Sequence, residues 1–217
     1  MGVEKLSLYF ANRLGKRLDK SQEEIAVLNY GFFMIIQTIY SIVCIFIVAV
    51  LTGLLKEILL ISICSAMLKR STGGVHASTP NRCLFIGIFI ATLLTLFCGY
   101  LTEQLGPTST CCFGIVMFII TYYIIYTRCP VGSKHKPLKK ETIRNRLRKK
   151  SFELVNVYLI IEILLFILYI TQNNSVYKSL FLSIIFGIFM QIFALSKIGE
   201  KFIVKLDKFF DIIKEAF

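Results

Sequence analysis

The stretch YGFFMIIQTIYSIVCIFIVAVLT, residues 30–52, carries no charged side chain. A helix rises about 1.5 Å per residue, and roughly 20 apolar residues cross the hydrocarbon core of a bilayer. The run is therefore long enough to span. Downstream, Thr52-Gly53 and Lys56-Glu57 interrupt it, and Ile58–Leu68 is apolar but covers only half a bilayer unless its helix continues into polar residues. Residues 69–83 are polar and irregular in pattern. Further apolar runs follow at Leu84–Leu101, Cys111–Thr127, Leu154–Ile170 and Ser179–Leu195. Upstream, Leu6, Tyr9, Phe10, Leu14 and Leu18 recur at helical spacing beside Arg13, Lys16 and Arg17, the pattern of a helix lying on a membrane surface. Ser21-Gln22-Glu23-Glu24 reads as a capping box that opens the next helix. In the C-terminal segment Phe202, Leu206, Phe209, Phe210, Ile213 and Phe217 share one helical face, which predicts a second interfacial helix.

The expected fold is thus all-α, a polytopic membrane helix bundle with about six transmembrane or partly spanning helices. It forms a single integral membrane domain over 1–217. An interfacial helix at 1–20 precedes the bundle at 21–195, and another follows at 199–217. Residues 1–24 are amphipathic and charged, unlike a secretory signal.

The composition agrees: 56% of residues are hydrophobic and mean hydropathy is +0.71. The formal net charge is +12. In a membrane protein this points to topology rather than to nucleic acid, because Lys and Arg concentrate in cytoplasmic loops. Residues 1–29 hold five basic side chains, 69–82 three, 128–150 ten and 196–217 five, while 102–110 and 171–177 hold none. Both termini, segment 69–83 and the basic loop 128–150 are expected on the cytoplasmic side of the cell membrane. The seven cysteines are odd in number and sit mostly inside apolar runs, so they read as reduced, buried small hydrophobes.

Segment 69–83, KRSTGGVHASTPNRC, carries the chemistry. His76 is one of two histidines, and an imidazole near a thiol makes the thiolate that a cysteine peptidase needs. On one continuous helix, residues seven apart lie on one face but about 10 Å from each other, too far to pair. Thr79-Pro80 removes the difficulty. It reads as an N-cap followed by proline at the first helical position, which puts Cys83 in the first turn of a new helix. Helix N–H groups and the positive dipole end favour a thiolate there. His76 would lie on the non-helical stretch before it, and Gly73-Gly74 permits a tight turn and close backbone approach. Arg70 can hold a carboxylate or support an oxyanion. Ser78, Asn81, Gln37 and Glu57 are alternative orienting groups for His76. The competing reading is an ordinary cytoplasmic turn, with Lys69, Arg70 and Arg82 as topology anchors.

The pattern Arg70-x-x-Gly73-Gly74-x-His76-Ala77, with Cys83 six residues further on, resembles the signature of the accessory gene regulator B family, membrane-embedded cysteine endopeptidases of Gram-positive quorum sensing. The Glu24…Tyr30-Gly31 region, Pro130-Val131 and Lys136-Pro137-Leu138 are similar too, so the resemblance covers nearly the whole chain. Cys129 departs from it, standing where a small residue such as alanine is expected.

The resemblance implies that Cys83 and His76 cleave the acidic C-terminal tail from a ribosomally made pro-signal peptide with an amphipathic N-terminal helix. A thioester on Cys83 would then be resolved by an internal thiol or hydroxyl, closing a thiolactone or lactone. It also implies a homodimer, and no cofactor. The basic loop gains a possible second role, in which Lys136, Lys139, Lys140 and Arg144 grip the acidic tail, beside positive-inside anchoring and contact with anionic lipid.

Other features leave alternatives. Glu162 lies mid-span and is either functional or protonated and paired with Gln191 or Gln37. Cys111-Cys112 reads as packing. Zinc on His76, Cys83, Cys129 and His135 is possible by residue type but matches no ligand spacing. The alternative functions are a non-enzymatic membrane transporter or peptide-export subunit and a signalling scaffold. A transporter needs charged or broken helices along a path, and only Glu162 offers this.

Overall fold

The computed structural model describes residues 2–75, 77–132 and 140–216, with side chains through Phe209. Its described residues form eight helices and no named strand: α1 (Val3–Arg17), α2 (Gln22–Thr52), α3 (Leu55–Thr72), α4 (Pro80–Gln104), α5 (Pro107–Arg128), α6 (Glu141–Gln172), α7 (Ser175–Leu195) and α8 (Lys197–Ala216). Five of them, α2, α4, α5, α6 and α7, are long and apolar enough to cross a membrane. The chain is an all-α, multi-pass membrane protein. The short sixth segment is α3, which extends beyond the apolar core Ile58–Leu68 to take in Lys56, Glu57, Lys69 and Arg70. Its 18 residues span about 27 Å.

Two compact units divide the chain, residues 1–48 and 49–217. In the first, α1 lies against α2 through its small residues. Ser7, Ala11 and Gly15 are the buried positions of α1. Ser7 Oγ donates to Asn29 Oδ1 at 2.8 Å, and a Cβ on Gly15 would fall 2.4 Å from Ile25 Cγ1. The large apolar side chains Tyr9, Phe10, Leu14 and Leu18 are left exposed. The capping box forms: Ser21 N–H donates to Glu24 Oε2 at 2.9 Å and Glu24 N–H to Ser21 Oγ at 3.3 Å. Gly53, at φ 71°, ends α2.

In the second unit α7 is the axis. It packs against α3, α4, α5, α6 and α8, and every residue from Phe181 to Ile188 is buried. A helix apolar all round belongs in the middle of a bundle. The other helices keep one face outward; on α4, Phe85, Phe89, Leu93, Leu96 and Tyr100 form an exposed stripe at helical spacing. Such a stripe suits lipid, which solvates apolar side chains without cost. α3 and α7 approach closely at Gly187, where a Cβ would lie 2.7 Å from Cys64 Cβ and 2.9 Å from Ile61 O. Small residues allow backbones to meet in a membrane bundle. At the other end of α7, buried Lys178 donates to Leu105 O at 2.9 Å, an ammonium on the C-terminal carbonyls of α4.

Three boundaries differ from the sequence reading. Residues 141–150 are not loop: α6 runs from Glu141 through the basic segment, because Arg, Leu and Lys are good helix formers and Glu141 sits favourably in the first turn. Segment 69–83 is helical at both ends, since α3 reaches Thr72 and α4 begins at Pro80. The C-terminal helix starts at Lys197, just after Ser196, whose Oγ accepts from Gly199 N–H at 2.9 Å.

Candidate active site

α4 begins as its residues dictate. Thr79 has extended backbone and its side chain accepts from Arg82 N–H, with Pro80 at the first helical position. Cys83 N–H makes the first helical bond, to Thr79 O at 3.0 Å. Cys83 therefore stands in the first turn of α4, half-buried. Lys69, in the last turn of α3, donates through Nζ to Cys83 Sγ at 3.8 Å. The thiol is thus flanked by a helix N-terminus and an ammonium, two features that each favour its ionised form.

The glycine pair that links the two helices is tightly held. Gly73 has φ 71° and ψ −143°, and Gly74 has φ 130°. Gly73 bridges in parallel to Val131, and Val131 N–H donates to Thr72 O at 2.9 Å. From α7, the buried Gln191 donates through Nε2 to Gly73 O at 2.7 Å and to Thr72 Oγ1 at 2.8 Å. The α5 end is tied in as well: Arg128 donates to Leu195 O at 3.2 Å and Arg148 to Cys129 O at 2.8 Å. Cys129 is fully buried, with Sγ 3.3 Å from Ser151 Oγ. Burial pushes its thiol up, away from reactivity.

The stretch before α4 is held from α8. Ser78 donates twice to Asp207, from N–H to Oδ2 at 2.9 Å and from Oγ to Oδ1 at 3.0 Å. Arg82 pairs with the same carboxylate at 3.4 Å and donates to Ser78 Oγ at 3.1 Å.

Of the residues chosen from sequence, Cys83, Gly73, Gly74 and Ser78 meet in one neighbourhood. Arg70 is adjacent in α3 but exposed, and has no side-chain partner among the described residues. Asn81 is exposed in the first turn of α4. Glu57 does not belong here. It lies at the far end of α3, about 18 Å along the axis from Lys69, and accepts from Ser179 Oγ at 3.0 Å. Gln191 is not the partner of Glu162 but is committed to the glycine pair. Both Glu162 oxygens are buried without a hydrogen-bond partner among the described residues. Lys140 N-caps α6, and Arg144 is exposed in its first turns. His76, Lys136 and Lys139 lie outside the described residues.

Three contributors were not chosen as site residues from sequence. Lys69 was read as an anchor, although its place at the end of the short helix next to the glycine turn hints at more. Gln191 was visible as a polar residue in an apolar run. Asp207, distant in sequence, carried no local signal.

The family model described as accessory gene regulator B matches residues 7–195. An AgrB-like protein of Clostridium perfringens strain SM101 is 32% identical over 212 residues, covering 95% of this chain and 97% of that one. A second AgrB-like protein, from C. perfringens strain 13, is 30% identical with the same coverage. A third, from Clostridium acetobutylicum, is 24% identical over 149 residues. No solved structure matches the chain. With the family model matching residues 7–195 and relatives aligned over nearly their whole length, the chain belongs to the accessory gene regulator B family.

Proposed function

We propose that this member of a quorum-sensing family is a membrane cysteine endopeptidase that removes the C-terminal tail of a pro-signal peptide. The observation that carries the reading is the setting of Cys83: the first turn of α4, with the Lys69 ammonium 3.8 Å from Sγ. A thiolate there attacks the scissile carbonyl of the substrate. His76, seven residues earlier in the same segment, serves as the base that takes the thiol proton and returns it to the leaving amine. The tail departs with a new amino terminus, and the remaining peptide stays as a thioester on Cys83. An internal thiol or hydroxyl of the substrate then attacks the thioester, regenerating Cys83 and closing a thiolactone or lactone. A site at a membrane boundary limits water, so cyclisation competes with hydrolysis.

Positive-inside counting puts this site, the basic segment and both termini on the cytoplasmic side. Lys140 and Arg144, at the start of α6, supply positive charge that would attract an acidic tail, and Lys136 and Lys139 add to that charge in the sequence. The expected partner is an amphipathic, acidic-tailed pro-peptide, and the active unit is a homodimer by family resemblance. The test is reconstitution in lipid with a cognate pro-peptide. Wild type should release the tail, while Cys83→Ala and His76→Ala should not. Equal cleavage by wild type and Cys83→Ala refutes the mechanism.

A further inference from the structure

We propose that Asp207 is a positioning residue for Cys83, so that the C-terminal helix α8 is part of the active-site framework. The proposal rests on the peptidase reading above. Residues 77–79, just before α4, belong to no helix or strand, yet they must deliver Thr79 to the cap of α4. Asp207 grips it at one residue. Its two carboxylate oxygens take the Ser78 N–H and the Ser78 hydroxyl at 2.9 and 3.0 Å. Arg82, one residue before Cys83, closes the triangle by contacting Ser78 Oγ at 3.1 Å and the Asp207 carboxylate at 3.4 Å. Arg82 also donates to the Asp207 carbonyl oxygen at 3.4 Å.

The chemistry selects a carboxylate. Two donors from Ser78 and one from a guanidinium converge on it, and only an acceptor pair satisfies all three. Charge-assisted bonds of this kind are the strong ones, and the Asp207 and Arg82 side chains are only 16% and 17% exposed. Because Ser78 precedes the cap and Arg82 belongs to the first turn, the clamp fixes the direction in which α4 starts. That direction sets where Cys83 Sγ sits relative to Lys69. The family match stops at residue 195, whereas Asp207 lies beyond it in α8, so this contact is not part of the matched signature. α8 itself is seated by packing on α7 and α4 and by Gly199, where a Cβ would fall 1.8 Å from Phe193 O.

The test uses the full chain in lipid nanodiscs with a cognate pro-peptide, comparing Asp207→Asn, Asp207→Glu and Ser78→Ala with wild type and Cys83→Ala. Asn keeps the shape of Asp but replaces one acceptor oxygen with a donor. Asp207→Asn should lower kcat for tail release about tenfold with KM within about twofold, since the clamp acts on geometry and its carboxylate is occupied. Asp207→Glu should recover most of the loss. Adding Ser78→Ala to Asp207→Asn should cost little more than either change alone. Hydrogen exchange at the Ser78 amide should quicken in Asp207→Asn while protection within α7 is unchanged. The proposal is overturned by wild-type kcat in Asp207→Asn. It is equally overturned by a loss that Glu does not rescue and that leaves Ser78 exchange unaltered. Tail release that persists in Cys83→Ala would instead sink the peptidase reading, and Ser78 exchange alone would then decide whether Asp207 holds the segment.

Discussion

Replacing Gly73 with alanine tests the site where its tolerance is smallest. The backbone there, at φ 71° and ψ −143°, lies in a region that L side chains rarely adopt. Holding an alanine in it costs about 1–3 kcal/mol. Space is the second obstacle: the new Cβ would stand 2.0 Å from Val131 O, and 3.1 Å from Val131 C. Ordinary carbon–oxygen contact is more than an ångström longer, and the obstructing atom is backbone, so the Gly73–Val131 bridge must open. The Val131 N–H bond to Thr72 O goes with it, for about 1 kcal/mol. The local cost sums to about 2–4 kcal/mol. Most of the bundle, anchored on α7, should remain folded. The displacement of roughly 1 Å falls on the turn that joins Lys69 to Cys83, and misplacement of that size costs on the order of 100-fold in rate. Gly73→Ala should therefore insert and run as wild type in size-exclusion chromatography, yet release tail about 100-fold more slowly. Activity within about threefold of wild type would show that this turn does not govern the geometry of Cys83 and would refute the reasoning.

Two other changes probe the same neighbourhood. A unit charge 3.8 Å from a thiolate contributes about 1–4 kcal/mol over surface and interior dielectrics. The pair is only half-buried, which favours the lower figure. Lys69→Gln should slow Cys83 alkylation by iodoacetamide at neutral pH about tenfold, because removing a cation disfavours the thiolate; an unchanged alkylation rate would count against the assignment. Gln191→Leu removes the bonds to Gly73 O and Thr72 Oγ1 and strands the Gly73 carbonyl, at about 1–3 kcal/mol. Thermal unfolding in detergent should fall by several degrees, and tail release should drop, whereas Gln191→Glu, which keeps an acceptor but loses the donor, should not rescue it.

Much of this protein was legible as a string. Residues 30–52 and the later apolar runs determined a membrane helix bundle, because in lipid a long uncharged stretch has no better solution than a helix. Ser21 and Glu24 determined where α2 begins, and Thr79-Pro80 determined where α4 begins, since caps are local chemistry. Cys83 in the first turn of α4 followed from that alone, and the signature around it pointed to the family. The sequence could not say which cation meets Cys83. Arg70 and Lys69 are adjacent, and the roughly 100° between neighbouring helical residues turns Lys69 toward the thiol and leaves Arg70 exposed. Nor could it assign Gln191 to the glycine turn rather than to Glu162, or Asp207 to Ser78. Those pairings join α7 and α8 to residues more than a hundred positions away, and no local rule reaches that far. Local chemistry set the helices, their caps and the place of the thiol. Only the packing of α3, α7 and α8 around the glycine turn decided what surrounds it.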